Sequence, residues 1–110
     1  MIPSETQSLI RDTARQFAQE RIAPFARQWE ADGAIPRDVL GEMGRLGFMG
    51  MTVPERWGGA GADTVSYVLA LEEIAAADGA VSTVMSVNNS PDCAALMGYA
   101  SDAQKERWLK

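Results

Sequence analysis

A proline and three glycines fall within residues 54–61, in the middle of the 110-residue chain. Pro54 has a fixed φ and no backbone N–H, so it ends the apolar run over residues 49–53. Glycine loses more conformational entropy on folding than any other residue, so a segment this rich in glycine is ordered only where the fold needs its backbone angles. Residues 48–63 are therefore predicted to form a loop between two helical parts of the chain.

Three helices are predicted before this loop. Ser4 and Gln7 have the spacing of a capping box, which opens the first helix. Pro24 disfavours α-helical geometry at the residue before it, so this helix is predicted to end or kink there. The second helix is predicted to end at Gly33 and the third to span residues 38–46. The buried face of the first helix consists of apolar residues at helical spacing, namely Ile10, Ala14, Phe17, Ala18 and Ile22.

Three further helices are predicted after the loop. Asp63 is the expected N-cap of the fourth, which is apolar on most sides, as is typical of a helix covered by its neighbours. A fifth helix is predicted over residues 80–99, and Ser101 with Gln104 forms a second capping box that opens a sixth. Strand patterns are nearly absent. Residues 1–110 are therefore predicted to form one all-α domain, an up-and-down bundle of about six helices.

The composition excludes several classes of function. A net charge of -5 and a pI near 4.6 argue against binding to nucleic acid or to an anionic membrane surface. The chain has no histidine, which removes histidine-based metal sites and Ser–His–Asp catalysis. Its single cysteine cannot form an internal disulfide and fits a reducing compartment. No apolar run is long enough to span a bilayer, and residues 1–30 show no signal-peptide pattern.

Three features that resemble reactive sites have simpler interpretations. The glycine turn at residues 58–61 has no βαβ context and no phosphate-binding lysine, so we interpret it as structural. Glu72 and Glu73 are adjacent on a helix and point about 100° apart, so one should be solvated and the other paired with a neighbouring helix. Cys93 follows the acidic Asp92, which disfavours a reactive thiolate, and is predicted to be a small buried residue.

The fifth predicted helix carries a stripe of small and weakly polar side chains. Thr83, Val84, Val87, Asn88 and Pro91 fall at i, i+1, i+4, i+5 and i+8. A helix that only fills a core would use leucine and isoleucine at these positions. The stripe therefore leaves space either for a closely packed helix or for a ligand, and the residues alone favour helix packing.

Six segments occur in an order and spacing that resemble one known family. They are residues 23–29, 46–55, 58–61, 71–75, 85–90 and 101–109. Together they resemble the N-terminal helical domain of the acyl-CoA dehydrogenases over essentially the whole chain, and residues 85–90 are similar to the short-chain members in particular.

The resemblance implies an FAD-dependent enzyme that removes an α-proton and a β-hydride from an acyl-CoA thioester. In the family, the base lies in a C-terminal helical domain, and most flavin contacts lie in a middle β-domain and that C-terminal domain. No catalytic or cofactor-binding residue is therefore assigned here, and no metal-binding residue is assigned either. The fifth helix resembles the one that lines the acyl pocket. That likeness reverses the preference above and makes Thr83, Val84, Val87, Asn88 and Pro91 the candidate substrate-binding residues.

The same resemblance implies partners and a location for the whole enzyme. The expected partners are acyl-CoA, electron-transferring flavoprotein, the enzyme's own middle and C-terminal domains, and further copies of the enzyme in a homo-oligomer. The expected location is the cytoplasm of a bacterium or the mitochondrial matrix. Two other classes remain open: an acyl-CoA oxidase or flavin monooxygenase with the same fold, and a helical interaction module without enzymatic activity.

Two residues depart from the family pattern. Pro91 stands where the family usually has a larger aliphatic residue, so the fifth helix should bend over residues 87–91 or begin anew near Ser90. Ala100 stands where the family tends to have glycine, which suits a left-handed helix end. The change at Pro91 bears on the shape of the pocket and therefore on the preferred chain length.

Overall fold

The computed structural model describes residues 2–110, and none of these residues lies in a strand. The predicted all-α class is confirmed. The α-helices are α1 (Glu5–Phe17), α2 (Ala26–Asp32), α3 (Arg37–Arg45), α4 (Thr64–Ala77), α5 (Gly79–Val87), α6 (Ala94–Tyr99) and α7 (Asp102–Trp108). The molecule measures 40 × 36 × 18 Å, so it is about two helices thick along its short axis. Within residues 2–110, no helix is long and apolar enough to cross a membrane.

The first helix begins and is buried as predicted, but its α-helical part ends early. Both bonds of the Ser4–Gln7 capping box are present, at 3.1 and 2.9 Å. The helix changes to a π turn over Ala18–Ile22 and then to a 3-10 turn over Ala23–Phe25, which contains Pro24. Because proline has no N–H and clashes with the preceding turn, the regular helical hydrogen bonding cannot continue through it. The α-helical part stops at Phe17, before the predicted end, and the π turn leads from there to the proline.

The core lies where α1 to α5 and the loop after α3 meet. Phe17 of α1 packs against Phe48 of the loop, with ring centroids 6.1 Å apart. The core residues are Ala14, Phe17, Ala18, Ile22, Trp29, Val39, Met43, Phe48, Met51, Ala70, Ile74, Val81 and Met85. The predicted buried face of α1 is confirmed, with Ile10 packed at its edge.

Helix α4 is buried on one face only, although its composition predicts cover on most sides. Ser66, Ala70 and Ile74 recur every four residues and are buried. Val68 is 45% exposed. In a body about two helices thick, no helix can be surrounded, so the apolar residues on the far face of α4 reach the surface.

The central loop is held closed by its own backbone. The N–H groups of Ala60, Gly61 and Ala62 donate to the carbonyls of Gly50, Val53 and Met51, at 3.0, 2.9 and 2.7 Å. The N–H of Gly59 donates to Pro54. These donors are occupied within the loop, which supports the structural interpretation of the glycine turn.

The fifth predicted helix is divided at Ser90. This residue has φ −151° and ψ 113°, far from helical values, and the Ser90–Pro91 peptide bond is cis. Of the two alternatives raised by Pro91, the structure shows a new helical segment rather than a bend. Ala100 is extended, with φ −79° and ψ 152°, so this helix end does not need a left-handed residue.

Asp63 joins the beginnings of two helices. One of its carboxylate oxygens accepts a hydrogen bond from the Ser66 N–H at 2.7 Å, as predicted for an N-cap, and the other accepts from Gln7 at 2.9 Å. The Ser66 N–H, followed by the Gln7 side chain, holds the pKa of the Asp63 carboxyl below its usual value. The ionised carboxylate therefore stabilises both α1 and α4.

Replacing Asp63 by alanine should give a stability loss that depends on pH. A lowered folded-state pKa adds stability that is fully present above the unfolded-state pKa of about 4. That stability is lost as the pH falls through the still lower folded-state pKa. The difference in denaturation midpoint between wild type and Asp63→Ala should thus be constant near neutral pH and shrink below about pH 4. Ser4→Ala removes a cap that does not titrate and should give a difference independent of pH. A constant difference for Asp63→Ala would contradict this account.

Candidate functional site

Three of the predicted substrate-binding residues lie together on the outer face of α5. Thr83, Val84 and Val87 are exposed, with Val87 at 47%. The Thr83 hydroxyl donates to the Gly79 carbonyl at 2.9 Å, so its methyl group is the part left for an outside contact. Thr83 and Val87 line a shallow depression of about 300 Å³ between α4 and α5, opposite Leu71. The depression is open, and its lining mixes the methyl groups of these residues with the side chains of Ser82 and Ser86.

The other two predicted residues lie elsewhere. The side-chain amide of Asn88 donates to the Met49 carbonyl at 2.5 Å, and Asn88 borders a different concavity on the loop side of α5. Pro91 is exposed and follows the non-helical Ser90. The structure does not continue the stripe as one helical face from Thr83 to Pro91, because the helix ends before Ser90.

Asn89 makes the most extensive side-chain contacts of this segment, and it is absent from the predicted set. It is 5% exposed. Its amide oxygen accepts from the Met51 N–H at 2.7 Å, and its amide nitrogen donates to the carbonyls of Phe48 and Met85 at 2.8 and 2.9 Å. The sequence could have indicated this role, because two consecutive asparagines stand in an otherwise uncharged helical segment. An amide that is buried there needs hydrogen-bond partners.

A larger concavity of about 650 Å³ lies on the loop side of α5. Met49, Val53 and Leu96 form part of its apolar lining, and Cys93 also borders it. Burial, followed by the charge of Asp92, raises the pKa of the Cys93 thiol. The thiol is therefore a poor nucleophile at neutral pH, as predicted, although Cys93 is only half-buried and not fully buried as expected.

The adjacent glutamates of α4 do not form a catalytic pair. Glu72 is exposed, whereas Glu73 accepts a hydrogen bond from Arg15 of α1 at 2.7 Å. The predicted division into one solvated and one paired carboxylate is confirmed. Among residues 2–110, no group of three or more Cys, Asp or Glu side chains is arranged to hold a metal ion.

The sequence model of the family described as "Acyl-CoA dehydrogenase, N-terminal domain" matches residues 4–110. The chain belongs to this family. A rat relative, the mitochondrial short-chain specific acyl-CoA dehydrogenase, is 37% identical over 105 residues, which cover 96% of this chain and 26% of that enzyme. The chain spans about a quarter of the length of the curated relatives it matches.

Solved structures agree with the family assignment. Butyryl-CoA dehydrogenase from Megasphaera elsdenii superposes with a TM-score of 0.90 at 28% identity, over 99% of this chain and 29% of that one. A structure described as the electron transferring flavoprotein of Acidaminococcus fermentans gives a TM-score of 0.93 at 31% identity, over 99% of this chain and 29% of that one. The acyl-CoA dehydrogenase resemblance predicted from the sequence is confirmed.

The glycine loop of this acyl-CoA dehydrogenase domain does not fit a flavin pyrophosphate. A phosphate cradle requires several free backbone N–H groups that point at the anion. The N–H groups of Gly59, Ala60 and Gly61 are bonded to carbonyls of the same loop. A methyl group added at Gly59 would meet the Val53 carbonyl oxygen, so this glycine is needed for close backbone packing.

Proposed function

We propose that this chain is the N-terminal domain of a longer FAD-dependent acyl-CoA dehydrogenase, which forms an α,β double bond in an acyl-CoA thioester. The observation that carries the proposal is the family match over residues 4–110. The superposition on butyryl-CoA dehydrogenase and the identity with a short-chain specific relative support a preference for short acyl chains. The chain's own residues supply a wall of the substrate pocket, while the base and the flavin belong to the other domains.

The proposed wall is the outer face of α5. Thr83, Val84 and Val87 present methyl groups to the outside, as an acyl chain requires. The depression beside Thr83 and Val87 is too shallow to enclose a chain, so the middle and C-terminal domains would complete the pocket. Asn88 and Pro91 do not line this depression; in this proposal they shape the end of the wall through the backbone that follows Val87.

The proposed partners are acyl-CoA, electron-transferring flavoprotein, the enzyme's other two domains and further copies of the enzyme. The similarity to a structure described as an electron transferring flavoprotein supports the second of these. The mitochondrial rat relative and the lone cysteine support a reducing compartment, either a mitochondrial matrix or a bacterial cytoplasm.

Turnover by the full-length protein separates this proposal from its alternatives. A dehydrogenase should pass electrons from butyryl-CoA to an artificial acceptor without consuming oxygen. Oxygen consumption with peroxide formation would favour an acyl-CoA oxidase, and a requirement for a reduced nicotinamide would favour a monooxygenase. A full-length protein that binds no flavin and turns over no thioester would favour a helical interaction module.

The isolated 110-residue chain is expected to be colourless and inactive. Its glycine loop uses its own N–H groups, and the proposed base lies outside the chain. Purified protein should show no flavin absorbance and should not reduce an electron acceptor with butyryl-CoA. The full-length protein in the same assay is the control. A stoichiometric flavin spectrum from the isolated chain would refute this expectation.

Substitution of Val87 by leucine should shorten the acyl chains that the full-length enzyme accepts. Val87 lines the depression on α5, so an added methylene there removes space from the far end of the chain. One methylene is worth about 1–3 kcal/mol of discrimination, so kcat/KM for the longest tolerated substrate should fall about tenfold, with a smaller loss for butyryl-CoA. Val65→Leu, the same change on α4 outside the depression, is the matched control. An equal loss at all chain lengths would mean that Val87 does not contact the chain.

A further inference from the structure

Two consecutive asparagines at the end of α5 hold the loop that follows α3. Asn89 bonds to Met51 and Phe48 of the loop, and Asn88 bonds to Met49 between them. We refer to Asn88, Asn89 and these bonds as the asparagine clamp. Three backbone groups within four loop residues are thus fixed to two neighbouring side chains.

Asn89 is the more deeply buried residue of the clamp, and every polar group of its side chain has a hydrogen-bond partner. The Asn89 amide has one oxygen and two N–H groups, and all three are engaged at 2.7 to 2.9 Å. Its partners Phe48, Met51 and Met85 are 3%, 2% and 0% exposed. Hydrogen bonds in such a low-dielectric interior are strong and directional, so the clamp fixes the separation between α5 and the loop.

The position of Val87 depends on this clamp because the helix does not continue. Val87 directly precedes Asn88, and the backbone leaves helical geometry at Ser90. The last turn of α5 is therefore not held by a following turn of the same helix. Val87 itself is 47% exposed and carries little packing of its own. Packing against α4 and the asparagine clamp are what hold the end of the wall.

We propose that Asn88 and Asn89 are positioning residues that set the accepted acyl chain length by fixing the end of the α5 wall. The inference rests on the proposed function. Neither amide lines the depression: both donate to carbonyls of the loop, whereas Val87 lines the depression. Their effect on specificity is therefore indirect and acts through the location of Val87.

Asn88→Ala in the full-length enzyme tests the proposal. This change removes one bond of the clamp and leaves the three bonds of Asn89, so the domain keeps its fold. A loosened wall should accept longer chains, and the ratio of kcat/KM for octanoyl-CoA to that for butyryl-CoA should rise about threefold or more. The change should come mainly from KM, because chain packing is made equally in the bound substrate and in the transition state.

The control is Ser4→Ala, which removes a helix cap at the start of α1. It should lower the denaturation midpoint and leave the chain-length ratio unchanged. If Asn88→Ala also lowers the midpoint without moving the ratio, the asparagines are only structural and the inference is overturned. If the wild-type enzyme turns over no acyl-CoA, both the proposed function and this inference are refuted. The two failures are distinguished by wild-type turnover.

Discussion

Gly59→Ala is expected to destabilise the chain by more than about 3 kcal/mol, beyond the usual range for overpacking a core. A methyl group on Gly59 would lie 2.1 Å from the Val53 carbonyl oxygen and 2.4 Å from its Cβ. Val53 cannot move away easily, because its carbonyl accepts from the Gly61 N–H at 2.9 Å and its side chain is 3% exposed. The loop would have to open, which releases the contacts on both of its sides.

Urea denaturation followed by circular dichroism measures this loss. Gly44→Ala is the matched control, because the same methyl group on Gly44 of α3 has no atom within 4 Å. That change should be neutral or stabilising by up to about 1 kcal/mol, since alanine favours the helix and restricts the unfolded chain. A midpoint for Gly59→Ala within error of wild type would show that the loop is not packed as described.

Asn89→Ala should have the second-largest effect, a loss of about 3 kcal/mol, because it leaves buried polar groups without partners. The Met51 N–H and the Phe48 carbonyl both belong to residues that are at most 3% exposed. Removing one partner from a buried pair leaves the other desolvated and unpaired, which costs more than the net contribution of an average hydrogen bond. Stability is expected to fall even though the substitution introduces no steric clash.

Asn88→Ala is the matched control for this substitution. The neighbouring amide makes a single bond, to the Met49 carbonyl, and is only half-buried, so the loss should be about 1 kcal/mol. Hydrogen exchange provides a second measurement, because the Met51 N–H should lose protection in Asn89→Ala and retain most of it in Asn88→Ala. Equal losses in the two variants would contradict the assignment of Asn89 as the central residue of the clamp.

Features set by neighbouring residues were predictable from the sequence. The capping boxes at Ser4 and Ser101 and the N-cap at Asp63 need only a partner three residues away, and all three are present. Pro91 predicted the interruption of the fifth helix, because the proline ring clashes with the preceding helical turn. The structure places the break at Ser90, in agreement with the second of the two alternatives raised by the sequence.

Features that depend on distant residues were only partly predictable. The pairing of one glutamate could be expected, but its partner Arg15 lies 58 residues from Glu73. The role of Asn89 depends on loop residues 38 and 41 positions away, which no local pattern specifies. The periodic stripe that includes Asn88 assumed a continuous helix and gave no sign that its amide bonds to the loop.

Because the domain is only 18 Å thick, each helix has one face against the core and another face on the outside of the domain. On α1 the outer face carries charged residues such as Arg11 and Asp12, which suit contact with water. On α4 and α5 the outward faces carry Val68 and Val87. Hydrophilic replacements at these valines would make the isolated domain more soluble and easier to handle. Under the proposed function, a hydrophilic replacement at Val87 would also place a polar group on the substrate wall, so solubility of this domain and activity of the longer enzyme are opposing design goals at that position.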